Sequence, residues 1–231
     1  ILDINPVAND TIVVRLGEKL SEDGTIDREP GGSIRYYVIK LPVEPGKTVY
    51  SPALPRDARN TGPAAIALPD STGVIAPFRY CELEKCNLDL KPENICQKAY
   101  WHYFDDTMSY FQSSDTTLNR IWEICKYSIK ATSFAGLYID GDRERIPYEA
   151  DAYLNQLSHY AVDDEYTLAR RTIEYFMHHP TWPTEWQLHV ALMVYQDYLY
   201  TGNTEVIEKY YEELKHKTLM ALEFQDGLIS T

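Results

Sequence analysis

The hydrophobic period of this chain changes once, near residue 105, and that change restricts the fold more than any other feature. Before it, apolar residues alternate in short runs: DTIVVRL (10–16), SIRYYVIKL (33–41), GVIAPFRYCELE (73–84) and AYWHYF (99–104) read as strands. Pro-Gly-Gly at 30–32, Pro-Gly at 45–46 and further prolines punctuate them, as in an antiparallel sandwich. After it, the period is helical. Ser114 or Asp115 can cap a helix over 113–130, with Leu118, Ile121, Trp122, Cys125 and Ile129 on one inward stripe. A second helix is expected from Pro147, a favoured first position, with Tyr153, Leu154, Leu157, Tyr160 and Ala161 facing in. Asp163 or Asp164 would cap a third, carrying Leu168, Ile173, Phe176 and Met177. A fourth runs over about 184–201 and stops at Gly202, and a fifth starts at Thr204 with Val206, Ile207, Tyr210, Tyr211 and Leu214.

Short connections make neighbouring helices antiparallel hairpins, like the start of a helical toroid. The expected fold class is multidomain, β then α: an antiparallel β-sandwich over 1–108, then the first helices of an (α/α)6 toroid, or barrel, over 109–231. Five helices do not close such a ring, and Thr231 follows a Gly-Leu-Ile-Ser segment without a cap, so a fragment of a longer protein is expected. The chain opens at Ile1 rather than Met, which leaves any targeting signal unread.

Composition narrows the partners. With 231 residues, 44% of them hydrophobic, the chain can bury a core, and no run of about 18 apolar residues reads as a membrane span. A net charge of −13 argues against nucleic acid and disfavours anionic membranes or polyanionic substrates. A neutral substrate such as a sugar fits better. Nineteen Tyr and four Trp add weakly to that, since sugars stack on aromatic faces and most such rings are core. Cys81, Cys86 and Cys96 lie close in sequence and Cys125 stands alone, with no zinc-type spacing. One bridge could form, but free buried thiols are the expectation, and the compartment stays open.

The candidate chemistry sits in DGDRERIPYEAD (140–151), where Asp140, Asp142, Glu144, Glu149 and Asp151 crowd beside Arg143 and Arg145. If a helix begins at Pro147, Asp151 lies one turn in and its Cα–Cβ bond tilts back over the loop, so Asp140, Glu144 and Asp151 can converge. Helix-end polarity favours their ionised forms, while mutual repulsion can retain one proton on the cluster. A carboxyl held protonated is what glycosidic acid catalysis needs. The plain alternative is a solvated loop in which the arginines pair the acids, since exposed ion pairs contribute little. A calcium site at Asp140, Asp142 and Glu144 is argued against by the arginines and by the absence of EF-hand spacing.

The stretch from about Tyr110 to Gly202 resembles the catalytic domain of bacterial α-L-rhamnosidases, glycoside hydrolase family 78. The family's S-D-x-x-L-N-x-I-W helix matches SSDTTLNRIWEICKYSIKATS, and its acidic loop, roughly D-C-x-Q-R-D-E-R-x-G-W-x-G-D, matches DGDRERIPYEAD. WQLHVALMVYQDYLYTGNTEVIEKYY (186–211) is similar to the next helical hairpin, and LGEKLSEDGTIDREPGGSIRYY (16–37) to the preceding sandwich. The resemblance implies an inverting glycosidase that removes terminal α-L-rhamnosyl residues, with no cofactor and no metal. It implies Glu144 as general acid, with Asp140 and Asp151 holding rhamnose hydroxyls. Arg143 and Arg145 would orient the acid and moderate its acidity, and Tyr148 would stack on the sugar or wall the pocket, with Trp186 beside it. The implied general base is a glutamate beyond Thr231; Glu185 is the best acid outside the loop and is not expected to take that role. His159, His178, His179 and His189 are expected to be structural.

The chain departs from the family where Gly-Trp-x-Gly-Asp becomes Pro-Tyr-Glu-Ala-Asp, with Glu149 as an added charge and one residue deleted before Arg143. The implied partner is a rhamnose-containing glycoside or polysaccharide. Another inverting glycosidase on the same toroid, a non-catalytic carbohydrate-binding relative, and a helical interaction scaffold are the competing readings. They differ in which aryl glycoside is cleaved, whether sugar binds without turnover, and whether sugar binds at all.

Overall fold

The computed structural model describes residues 1–84, 88 and 90–229, so Cys86 and the terminal Ser230 and Thr231 lie outside the described residues. Two compact units are present: Ile1–Ala58 with Leu68–Tyr100, and Arg59–Ala67 with Trp101–Thr231.

The first unit is built on an antiparallel sheet in the order β3-β2-β5, from β2 (Asp10–Gly17), β3 (Tyr36–Val43) and β5 (Tyr80–Glu84). A two-stranded pair, β1 (Leu2–Asp3) and β4 (Val49–Tyr50), accompanies it. The alternation in β2 works as strand geometry requires: Ile12, Val14 and Leu16 pack with Leu2, Leu41, Val43 and Tyr50. Between them Arg15 stands opposite Glu82 in the register and pairs with Glu84 at 2.8 Å. Gly17 is required by a close approach, because a Cβ there would overlap Cγ2 of the fully buried Ile26. Isoleucine is stiff at that branch and has no room to retreat. Gly17→Ala is therefore expected to destabilise the protein by about 1–3 kcal/mol, read from urea unfolding.

Two expected strands differ. The run 73–84 forms a strand only at β5, because Pro77 has no N–H for a ladder and pairing starts where Arg79 N–H donates to Gly17 O at 2.9 Å. The run 99–104 is no strand. Its alternating rings instead place Trp101 and Phe104 beside the Lys130 ammonium, at 4.6 and 5.6 Å, while His102 N–H donates to Ser133 O at 2.7 Å. Cys81, Cys96 and Cys125 are free but exposed rather than buried.

The second unit holds α1 (Thr116–Thr132), α2 (Glu149–Tyr160), α3 (Thr167–His178), α4 (Leu188–Thr201) and α5 (Glu205–Lys217). Asp115 caps α1 by accepting from Thr117 N–H at 2.7 Å, and Gly202, at φ 67°, ends α4. Helix α3 starts at Thr167, beyond both expected caps. The Glu165 carboxylate accepts from Thr167 N–H and Leu168 N–H at 2.9 and 3.1 Å, while Asp163 accepts from Asp105 N–H and Asp164 N–H. Helix α4 packs on α2, α3 and α5, and α1 packs on α2. Ile173, Phe176, Val190 and Met193 form the fully buried centre of the core.

The stripes are narrower than the apolar pattern implies. On α1 Trp122 and Ile129 join the core while Leu118, Ile121 and Cys125 are exposed. On α2 Leu154 and Ala161 are exposed, and Gln156 and His159 occupy buried positions instead. Those polar groups are bonded: Tyr138 OH meets His159 Nδ1 at 2.7 Å, and Gln156 donates to Met193 O at 2.9 Å. His159 thus takes a structural place. Among the described residues no helix is long and apolar enough to cross a membrane.

Candidate active site

The acidic loop lies between α1 and α2, within the helical unit. It closes on itself: Asp140 N–H donates to Ile146 O at 3.1 Å, Ile146 N–H donates to Asp140 Oδ1 at 3.2 Å, and Arg145 N–H donates to Gly141 O at 3.2 Å. Closing so tight a ring needs left-handed backbone at Gly141 (φ 106°) and at Arg145 (φ 57°). The first is natural for glycine; the second is strain of about 1–2 kcal/mol for a side-chain-bearing residue. Buried contacts hold Arg145 there. Its Nη2 pairs with Asp142 Oδ1 at 2.6 Å, its guanidinium lies 5.5 Å from the Phe134 ring, and its carbonyl accepts from Ile66 N–H at 2.8 Å. The buried Asn60 donates its amide to Asp142 O at 2.8 Å, so the segment 59–67 braces the loop.

Beside the Asp142–Arg145 pair, Asp140 and Glu144 share Arg143. Asp140, its side chain 6% exposed, leaves Oδ2 buried and without a hydrogen-bond partner among the described residues, 3.6 Å from Arg143 Nη2. Arg143 is 55% exposed and also reaches Glu144 Oε1 at 3.3 Å, so one guanidinium spans both acids. Glu144, 35% exposed, accepts from Tyr148 OH at 2.8 Å. Asp151, in the first turn of α2, is half-buried and accepts no hydrogen bond among the described residues. Burial pushes the Asp140 carboxyl above its ordinary value; the Ile146 N–H and Arg143 oppose this, and the Glu144 and Asp151 charges add to it. Burial and the bond to Glu144 push the Tyr148 phenol up to about 12, so it stays a donor.

A row of rings continues from the acid. Tyr148 meets Trp186 edge-on, centroids 5.9 Å apart, and Trp186 meets Trp182 at 6.2 Å. The structure thus joins Asp140, Arg143, Glu144, Tyr148 and Trp186 in one chain of contacts, and the Asp151 charge acts on Asp140. Three expectations change. Arg145 pairs with Asp142 and braces the loop instead of flanking Glu144. Helix α2 starts at Glu149, not Pro147, because Tyr148 is extended with its hydroxyl on Glu144. Glu149 is turned away from the loop: it is fully buried, and its carboxylate accepts both Thr181 N–H, at 2.9 Å, and Thr181 OH. Asn60, Thr181 and Trp182 lie far from the loop in sequence, so spacing alone could not have found them. Among the described residues no group of three or more His, Cys, Asp or Glu side chains is placed to hold a metal ion.

An unpartnered buried carboxylate oxygen is a standing penalty of about 1–3 kcal/mol, tolerated where a ligand completes it. Asp140 also binds its proton more tightly folded than unfolded, so its contribution to stability declines as pH rises through the window just above the ordinary carboxylate value. Asp140→Asn is therefore expected to raise the melting temperature at pH 7 by a few degrees and to flatten that pH slope, while weakening ligand binding; melting curves from pH 3 to 7 check it.

Residues 106–225, more than half of the chain, match the family described as the bacterial alpha-L-rhamnosidase 6 hairpin glycosidase domain. Among solved structures, a rhamnosidase from Klebsiella oxytoca with rhamnose bound superposes over 99% of this chain at a TM-score of 0.60 and 13% identity. The match covers 47% of that protein, so this chain spans about half its length, and at such identity the likeness shows the fold. No curated protein sequence matches the chain. With its acidic loop between the first two helices of the matched region, the chain belongs to the bacterial α-L-rhamnosidase six-hairpin glycosidase domain family.

Proposed function

We propose that this chain carries the acid side of the active site of an inverting α-L-rhamnosidase. The observation that carries the reading is the juxtaposition, through Arg143, of Glu144, half-open to solvent and held by Tyr148, with Asp140 Oδ2, buried without a hydrogen bond among the described residues; Asp151 acts on the same carboxyl through its charge. Two carboxylates that need hydroxyl partners beside one positioned acid suit a neutral polyol better than an ion. Rhamnose is the favoured sugar because the chain belongs to a rhamnosidase family and its structural relative is a rhamnosidase solved with rhamnose bound.

In this reading Glu144 gives its proton to the glycosidic oxygen as the bond to the anomeric carbon breaks. Asp140 and Asp151 hold ring hydroxyls, and Arg143 fixes the spacing of Asp140 and Glu144. Tyr148 and Trp186 wall the sugar with their rings. Water attacks the opposite face, activated by a carboxylate that we place outside these 231 residues. Glu185 is exposed on the 3-10 turn before α4, and we assign it no role in the attack. The sheet unit is proposed as the β-sandwich within 1–108, and the helices over 109–231 as the opening part of an (α/α)6 toroid, with α4 packing on α2 as the inner-ring contact.

The test is release of p-nitrophenol from its α-L-rhamnopyranoside by the intact protein, with the first-formed sugar followed by NMR. The β-anomer is expected first. Cleavage of a different aryl glycoside would reassign the sugar, and inertness on the whole panel would refute hydrolysis.

A further inference from the structure

Trp182 is 84% exposed, an expensive place for the largest apolar side chain. It is also held unusually firmly for a surface ring. It sits between Pro180 and Pro183, which fix the backbone dihedrals on both sides. The residue before it, Thr181, is anchored through backbone and hydroxyl to the fully buried carboxylate of Glu149 at the start of α2. Its ring rests against Trp186 at 6.2 Å, tilted by 40°, and Trp186 meets Tyr148, whose hydroxyl is on Glu144. Trp182 is therefore two ring contacts from the proposed acid, in a row that runs from half-buried to open solvent. A rigid ring loses little conformational freedom when a ligand lies on it.

We propose that Trp182 is the outer platform of a leaving-group subsite, which takes the flat apolar face of a ring attached to the sugar removed at Glu144. The inference rests on the glycosidase reading above and adds the substrate class: rhamnosides whose aglycone carries a ring, either aromatic or a second pyranose. Glu149 is the positioning residue for this platform, acting through Thr181. Its burial explains why an added acid in the loop motif does not disturb the pocket.

The intact protein, as wild type, Trp182→Ala and Trp182→Phe, is assayed on methyl, 2-naphthyl and glucosyl α-L-rhamnosides, and the same compounds are titrated calorimetrically. Trp182→Ala is expected to lose about tenfold in kcat/KM on the ring-bearing compounds, mostly through KM, and little on the methyl rhamnoside. Trp182→Phe is expected to recover most of the loss. A loss on the naphthyl compound alone makes the aglycone aromatic; a loss on the glucosyl compound alone makes it a sugar. An equal loss on all three, no loss on any, or a change only in oligomeric state overturns the inference. If wild type turns over none of the compounds, the hydrolase reading fails, and selective weakening of ring-bearing ligands in calorimetry then decides the Trp182 platform separately.

Discussion

Glu144→Gln is expected to lower turnover of an unactivated alkyl rhamnoside by about 10²–10⁴-fold and to leave the melting temperature within a degree or two of wild type. The size follows from the role: without a proton donor the departing alkoxide leaves as an anion. The unchanged stability follows from the surroundings. Glu144 is 35% exposed, and its partners are the Tyr148 hydroxyl and the exposed Arg143, both of which can bond to a glutamine oxygen or to water. A large fall in stability would show that Glu144 is a structural group.

Arg145→Ala is expected to do the opposite and reduce stability and activity together. The side chains of Arg145 and Asp142 are 9% and 14% exposed, so removing the guanidinium breaks a largely buried ion pair. Breaking such a pair costs about 3 kcal/mol, or roughly 6–12 °C in a domain of this size. The alanine also keeps the left-handed backbone at φ 57° without the contacts that hold it. Arg145→Gly loses the same pair but accepts that backbone, and should recover about 1 kcal/mol relative to alanine. Because Arg145 braces the loop that bears Asp140 and Glu144, kcat/KM should fall with stability in both variants. Thermal melts and kinetics on the same preparations separate this pattern from that of Glu144→Gln.

Much of the fold was legible because local signals and tertiary structure agree. The Asp115 cap and the Gly202 terminus rest on interactions within a few residues, and the alternation of Ile12, Val14 and Leu16 matches the face that the sheet buries. The misplaced boundaries have different causes: Pro77 delays β5, and side chains drawn to other partners shift the helix starts. Asp163 bonds to Asp105 N–H rather than capping α3, and Glu149 reaches Thr181. Pro147 restricts its own φ but does not choose a helical ψ, and Tyr148 after it is extended. The acidic loop was visible as a concentration of charge, and the gathering of Asp140, Glu144 and Asp151 at one helix end followed from side-chain tilt. Which carboxylates are spent inside the loop was not visible. That division depends on Asn60, Ile66 and Thr181, whose approach is a property of the tertiary fold.

The same electrostatics explain why so many acids share twelve residues. Asp142 is paired with Arg145, Glu149 is turned away into hydrogen bonds from Thr181, and the shift on Asp140 reflects burial first and its neighbours second. In the proposed reading the cluster is one acid and two hydroxyl acceptors rather than five competing charges.

The most direct measurement is kcat/KM for wild type and Glu144→Gln across aryl α-L-rhamnosides whose phenols span a wide range of acidity. If Glu144 protonates the leaving oxygen, the gap between the two proteins is small for the most acidic phenol and widens steadily as the phenol becomes a poorer leaving group. A gap of the same size across the series would contradict acid catalysis by Glu144 and reduce it to a binding group.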